Sequence, residues 1–145
     1  MRLVVQRVEK AKVTVLPDNK VVGEIERGFL VLVGFKKGDS QEEAELLADK
    51  LSKLRVMSDE SDKMNLSLKD AGGKLLVVSQ FTLYADTSGG NRPSFIDAED
   101  PDKAEKLYNY FINELKSKDL KVETGSFGDY MQIEATLDGP VTILY

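Results

Sequence analysis

The chain has 145 residues, 41% of them hydrophobic and 31% charged, which suits one folded domain over residues 1–145 and excludes a disordered polyelectrolyte. Its net charge of −5 argues against an extended nucleic-acid platform, which shows as a basic stripe. There is no Cys and no His, which excludes disulfides, thiolate nucleophiles, Cys- or His-ligated metals and Ser-His-Asp triads.

The N-terminal stretch MRLVVQRVEK carries charge at once and no small-residue cleavage site, so no signal peptide is expected. The longest apolar run, Phe29 to Phe35, is far too short to span a bilayer, and a cytoplasmic location is expected. Leu3–Val8 and Lys12–Leu16 read as short Val-rich strands, Pro17–Lys20 (PDNK) as a turn, and Val21–Ile25 as the returning strand of a hairpin. Arg7 falls on the strand face of Leu3 and Val5. If that face is covered, its guanidinium needs acceptors nearby; at a strand edge it would snorkel to water instead.

Gly28 precedes a continuously apolar strand, Phe29–Phe35, of the kind covered on both faces. Ser40 to Glu43 (SQEE) matches a capping box, and Ala44, Leu47, Leu51 and Leu54 give the following helix one apolar stripe. A polar loop runs from about Ser58 to Gly73. A strand is then expected from Lys74 to Tyr84, and within it LLVVSQFTLYAD turns from apolar to polar at Ser79, Gln80 and Thr82. Alternation puts Leu76, Val78, Gln80, Thr82 and Tyr84 on one face and Leu75, Val77, Ser79, Phe81 and Leu83 on the other. Ser and Thr are ordinary strand residues, but a buried amide such as Gln80 costs about 1–3 kcal/mol if left without a partner.

The loop after it, ADTSGGNRPSFIDAED, is long and polar, a composition suited to binding. Asp100-Pro101 starts a second helix with an apolar face of Ala104, Leu107, Tyr108, Phe111 and Leu115. The C-terminal part is β: Lys121–Glu123, Met131–Leu137, a Gly139-Pro140 turn, and Val141–Tyr145. The sum is an α+β fold, a strand-rich, barrel-like or layered sheet with two main helices. Neither standard Gly-rich phosphate loop is present.

SQFTLYAD (Ser79–Asp86) together with GPVT (Gly139–Thr142) resembles the D-aminoacyl-tRNA deacylase family, formerly called D-tyrosyl-tRNA deacylases. MRLVVQRVEKAKVTV, GFLVLVGF, KMN (Lys63–Asn65), NRPSF (Asn91–Phe95) and GSFGDYM (Gly125–Met131) resemble the family's pattern in the same order. The pattern is departed from at Leu137, where the family carries Asn, and at Asn91 and Asp129.

The resemblance implies a homodimer that hydrolyses D-aminoacyl-tRNA to a free D-amino acid and tRNA, a chiral proofreading step in translation. It implies an active site at the subunit interface, into which a cis Gly139-Pro140 from one subunit reaches to reject L substrates, with Arg7 locking that loop. Ser79, Gln80, Phe81 and Thr82 are the expected catalytic residues, through backbone N–H groups near Ser79–Phe81 and through Thr82 as nucleophile or positioner. Lys36, Lys37 and Arg92 are the cations expected to grip the tRNA 3′ end, which carries a D-amino acid or glycine mischarged on tRNA(Ala). No cofactor, metal or membrane partner is expected. Two rival readings are a non-catalytic module for an RNA end, against which the acidic charge and the lack of an aromatic platform weigh, and a metal-dependent hydrolase using Asp97, Glu99, Asp100 and Asp102.

Overall fold

The computed structural model describes residues 1–145. The elements in order are β1 (Arg2–Val15), β2 (Lys20–Ile25), β3 (Gly28–Gly34), α1 (Gln41–Ser52), β4 (Met57–Ser58), β5 (Met64–Leu66), β6 (Lys74–Ser79), α2 (Pro101–Ser117), β7 (Lys121–Thr124) and β8 (Met131–Leu144). The main sheet runs β2-β1-β3-β6-β7, and β4 and β5 form a small hairpin of their own. β1 is long enough to pair with β3 through its first half and β2 through its second, while β8 follows its opposite edge. β3, β6 and β7 are parallel neighbours. The sheet curls until β2 lies against β6 and β7, nearly closing a barrel.

Two apolar clusters hold this shape. One face of the sheet (Leu3, Val5, Phe29, Val31, Val33, Leu75, Val77) packs on α1 and α2 through Leu51, Phe111 and Leu115. The other face fills the inside of the curl with Val8, Ala11, Val13, Ile25, Leu30, Leu76 and Val78. β3 is therefore covered on both sides, as its unbroken apolar run requires. Each fully buried aliphatic side chain stabilises the fold by about 1.5–3 kcal/mol. The helix starts follow local chemistry: the Ser40 N–H donates to Glu43 Oε2 at 3.0 Å, and Asp100 Oδ1 accepts from the Asp102 N–H at 3.1 Å ahead of Pro101.

Three expected boundaries differ. β1 is one strand and not two, because exposed Glu9 and Lys10 lie at a register shift that bends the strand without ending it. β6 stops at Ser79, and Phe81–Tyr84 form a single 3-10 turn in place of further strand. The partner strand β3 runs out at Gly34, so the ladder has nothing left to pair with. The chain folds back over Gly34, where an added Cβ would meet Gln80 O at 2.8 Å and Leu83 Cβ at 3.1 Å. The predicted alternation of faces therefore holds only as far as Ser79. Finally, Gly139-Pro140 is not a turn between two strands but lies inside a continuous β8, as a bulge.

Candidate active site

The sequence-predicted residues gather in two places. The first is the turn after β6. The Gln80 N–H donates to Val33 O at 2.7 Å, the last backbone bond of the sheet, so this amide is spent on structure. The first backbone bond of the turn runs from the Leu83 N–H to Gln80 O at 3.3 Å, which leaves the N–H groups of Phe81 and Thr82 without an acceptor inside the turn. The side chain of Gln80 donates from Nε2 to Thr82 Oγ1 at 2.5 Å. Gln80 is half-buried and Thr82 exposed, so the bond joins two accessible side chains and no buried amide had to be paired. A threonine oxygen that accepts this bond has its hydroxyl hydrogen directed elsewhere, as a donor. Arg2 fixes the far end of the turn: Nη1 donates to Leu83 O at 2.6 Å and the guanidinium stands 4.5 Å from the Tyr84 ring centre. Burial, reinforced by the Asp39 carboxylate, pushes the Tyr84 phenol up to about 12.

The second place is the bulge in β8. In the ladder with β1, Gln6 pairs with Thr142 and Val8 with Leu137, so the whole stretch Asp138–Val141 stands opposite Arg7. Arg7 is only 8% exposed, and its acceptors decide how it is tolerated there. Nη1 donates to Val56 O at 2.7 Å, and Nε pairs with Asp138 Oδ2 at 2.8 Å. Longer contacts of 3.4 Å run from Nε to Asp138 O and from Nη2 to Asp138 Oδ1. The Gly139-Pro140 bond is cis, and Gly139 has φ +118°, in the region open to glycine. A Cβ there would lie 3.2 Å from Arg7 Nη2 and 3.0 Å from Val141 N. Leu137, where the family pattern carries Asn, is 45% exposed; within β8 the guanidinium donates to Asp138 beside it.

Arg2 and Arg7 share β1, and a rise of about 3.3 Å per residue sets them roughly 16 Å apart along the strand. The polar turn lies at the Arg2 end and the bulge at the Arg7 end. The two features thus adjoin different parts of the first half of β1.

Lys36 and Lys37 are exposed just beyond β3, and exposed Arg92 lies in the loop after the turn. That loop is tied back by bonds between Asp86 and Ser94 and from the Lys37 N–H to Asp97 O at 3.0 Å. The cations thus stand at the same end of the sheet as the turn. A cleft of about 650 Å³ borders Leu83 and Tyr84 there, rimmed by Arg2 and Lys36 and floored by Leu3 and Leu144. Among the carboxylates of the loop, Asp100 caps α2 and Glu99 Oε1 accepts from the Asp100 N–H at 2.9 Å. No group of three or more His, Cys, Asp or Glu is positioned for a metal ion. No helix is long and apolar enough to cross a membrane.

Sequence reading missed two features. Asp138 was hidden by the prominence of its Gly-Pro neighbours, although an acid opposite a buried Arg was the available signal. Phe81 and Phe95 form an exposed pair with ring centres 5.1 Å apart at 70°. No aromatic cluster was legible in the sequence, and the fold supplies this one exposed pair. The two rings come from different segments, and only the folded-back loop joins them.

The model of the D-Tyr-tRNA(Tyr) deacylase family matches residues 4–145. A D-aminoacyl-tRNA deacylase of Lactobacillus gasseri is 53% identical over 144 residues, covering 99% of this chain and 98% of the relative. One from Thermotoga petrophila is 56% identical, with coverage of 99% and 95%. Among solved structures, a c-Myc DNA unwinding element binding protein superposes with a TM-score of 0.92 at 41% identity, covering 100% of this chain and 97% of the other. A probable eukaryotic D-amino acid tRNA deacylase gives 0.87 at 15% identity, with coverage of 99% and 97%, a likeness of fold.

Proposed function

The chain belongs to the D-Tyr-tRNA(Tyr) deacylase family and is a D-aminoacyl-tRNA deacylase, a hydrolase of the aminoacyl ester; we propose that its working site is shared between two copies. The observation that carries this reading is the separation of the polar turn from the Arg7-held bulge along β1. In a two-fold dimer the bulge of each protomer meets the turn of the other, which makes two composite sites.

At such a site, water adds to the ester carbonyl carbon and the bond to the ribose oxygen breaks, giving a free D-amino acid and the tRNA hydroxyl. The carbonyl oxygen becomes an oxyanion, and the unspent N–H groups of Phe81 and Thr82 are the donors suited to it. Ser79 ends the strand that presents them. Thr82, held by Gln80 and with no base bonded to its hydroxyl, acts as a positioning donor and not as a nucleophile. An aminoacyl ester is already activated, and its neighbouring ribose hydroxyl takes part in activating the water, so neither His nor Cys is needed.

Selection of hand falls to the backbone of Gly139 and Pro140. Held by Arg7, it meets an L side chain and leaves room for a D one. Glycine has no side chain to clash, so glycine mischarged on tRNA(Ala) is a further substrate. Lys36, Lys37 and Arg92 take the phosphates of the tRNA 3′ end, and the work is done in the cytoplasm. The test is to follow ester loss from matched D- and L-aminoacyl-tRNA. Selective loss of the D ester is expected; binding without hydrolysis would overturn the reading in favour of an RNA-end-binding module.

A further inference from the structure

The KMN stretch, Lys63–Asn65, has no part in the site described above, yet its asparagine closes a network of its own. β4 and β5 have two and three residues, too few for backbone pairing alone to hold a hairpin. Side chains supply the rest. Arg55 Nε donates to Asn65 O at 2.5 Å, and Arg55 Nη2 donates to Asn65 Oδ1. Asn65 Nδ2 donates in turn to Asp59 Oδ2 at 3.2 Å, and Asp59 Oδ1 accepts from the N–H groups of Ser61 and Lys63. Between Arg55 and the fully buried Met57 lies Val56, whose carbonyl accepts from Arg7 Nη1 at 2.7 Å. Apart from Asp138, this carbonyl is the sole partner of the guanidinium. Asp138 belongs to the bulge that Arg7 holds, and the arginine stem is long and flexible. A fixed position of the head group therefore depends on Val56 O.

We propose that Arg55 and Asn65 are positioning residues for the selection of hand: by fixing the β4–β5 hairpin they fix Val56 O, and through it the guanidinium that holds Asp138–Val141. The inference rests on the reading given above, in which that bulge rejects L substrates. Met57 anchors the hairpin in the core cluster, and Arg55 and Asn65 anchor it on the exposed side. Both act through Arg7 and not on the ester. Without them Val56 O shifts, and a buried guanidinium short of an acceptor no longer keeps its place. The bulge loosens, while the turn after β6 keeps its own bonds to Val33 and Arg2. Discrimination and catalysis thereby separate.

The experiment compares wild type, Arg55→Ala, Asn65→Ala, Arg7→Ala and the double variant Arg55→Ala with Arg7→Ala on matched D- and L-tyrosyl-tRNA, with thermal unfolding of each. Arg55 and Asn65 are exposed, so their replacement leaves the core intact. Arg55→Ala is expected to lower the D-to-L ratio of kcat/KM by roughly three- to tenfold, through faster loss of the L ester. Asn65→Ala does the same to a smaller extent, because the bond from Arg55 to the backbone carbonyl of residue 65 survives. In the Arg7→Ala background, Arg55→Ala has no further effect on the ratio. A merely structural role would lower Tm and the active fraction, and hence both rates alike, leaving the ratio unchanged. That result would overturn the proposal, as would an effect on the ratio that multiplies with that of Arg7→Ala. An unchanged ratio in Arg7→Ala itself would overturn the reading of the bulge and this inference with it. An effect of Arg7→Ala without one of Arg55→Ala would overturn this inference alone.

Discussion

Asp138→Ala removes the charged partner of a guanidinium that the fold has already taken from water. Arg7 keeps its 2.7 Å bond to Val56 O and loses the 2.8 Å ion pair. A hydrogen bond between charged groups contributes about 1.5–3 kcal/mol. The Asp138 side chain is 24% exposed, so water replaces part of the loss, and about 1–2 kcal/mol remains. That energy holds Asp138–Val141 in place opposite Arg7, so the held form loses a factor of roughly 5–30 against open ones. The assay is the ratio of D- to L-tyrosyl-tRNA hydrolysis, measured with thermal unfolding on the same samples. The ratio is expected to fall by up to about 30-fold, while Tm drops by only about 2–8 °C. Arg7→Ala lowers the ratio as well, and the double variant is little worse than Arg7→Ala alone, because both changes break one interaction. An unchanged D-to-L ratio in folded Asp138→Ala, or full additivity with Arg7→Ala, would refute the reasoning.

The composite site is testable by mixing. Thr82→Ala and Gly139→Ala are each expected to be strongly impaired as homodimers, and exchanged heterodimers carry one intact site; about a quarter of wild-type activity should return on mixing, and none would return if the site lay within one chain. Thr82→Ala alone should lower kcat by roughly 10²–10³, the value of one lost donor, with Thr82→Ser recovering much of it; trapping of an acyl-enzyme on Thr82 would contradict the positioning role. Tyr84 bears on alkaline stability. Burial raises its folded pKa to about 12, above the ordinary phenol value of about 10, so the neutral phenol's contribution is intact below about pH 10 and is lost as pH rises toward 12. Denaturant titrations across that window should show falling stability in wild type and a shallower fall in Tyr84→Phe.

Much of this protein follows from patterns that are local in the chain. The helix starts at Ser40 and Asp100, the doubly covered β3 and the apolar faces of both helices each depend on residues a few positions apart, which is the range over which capping and amphipathic periodicity act. The lack of His and Cys likewise narrows the chemistry before any fold is known. The end of β6 was not legible, because it depends on where another strand, β3, runs out. Gly139-Pro140 read as a turn because Gly-Pro is a turn signal; only pairing along both flanks with β1 makes the stretch a bulge within one strand.

The candidate site divides in the same way. Sequence alone determined which residue types are available: the polar run at Ser79–Thr82, an Arg on an apolar strand face, and a Gly-Pro near the end. Tertiary structure decided what each one touches. Gln80 spends its amide on Val33 and its side chain on Thr82, Arg7 reaches Val56 and Asp138, and Phe95 comes to rest on Phe81. These contacts join segments that are remote in the chain, and their geometry follows from strand register and loop closure, which no local pattern encodes.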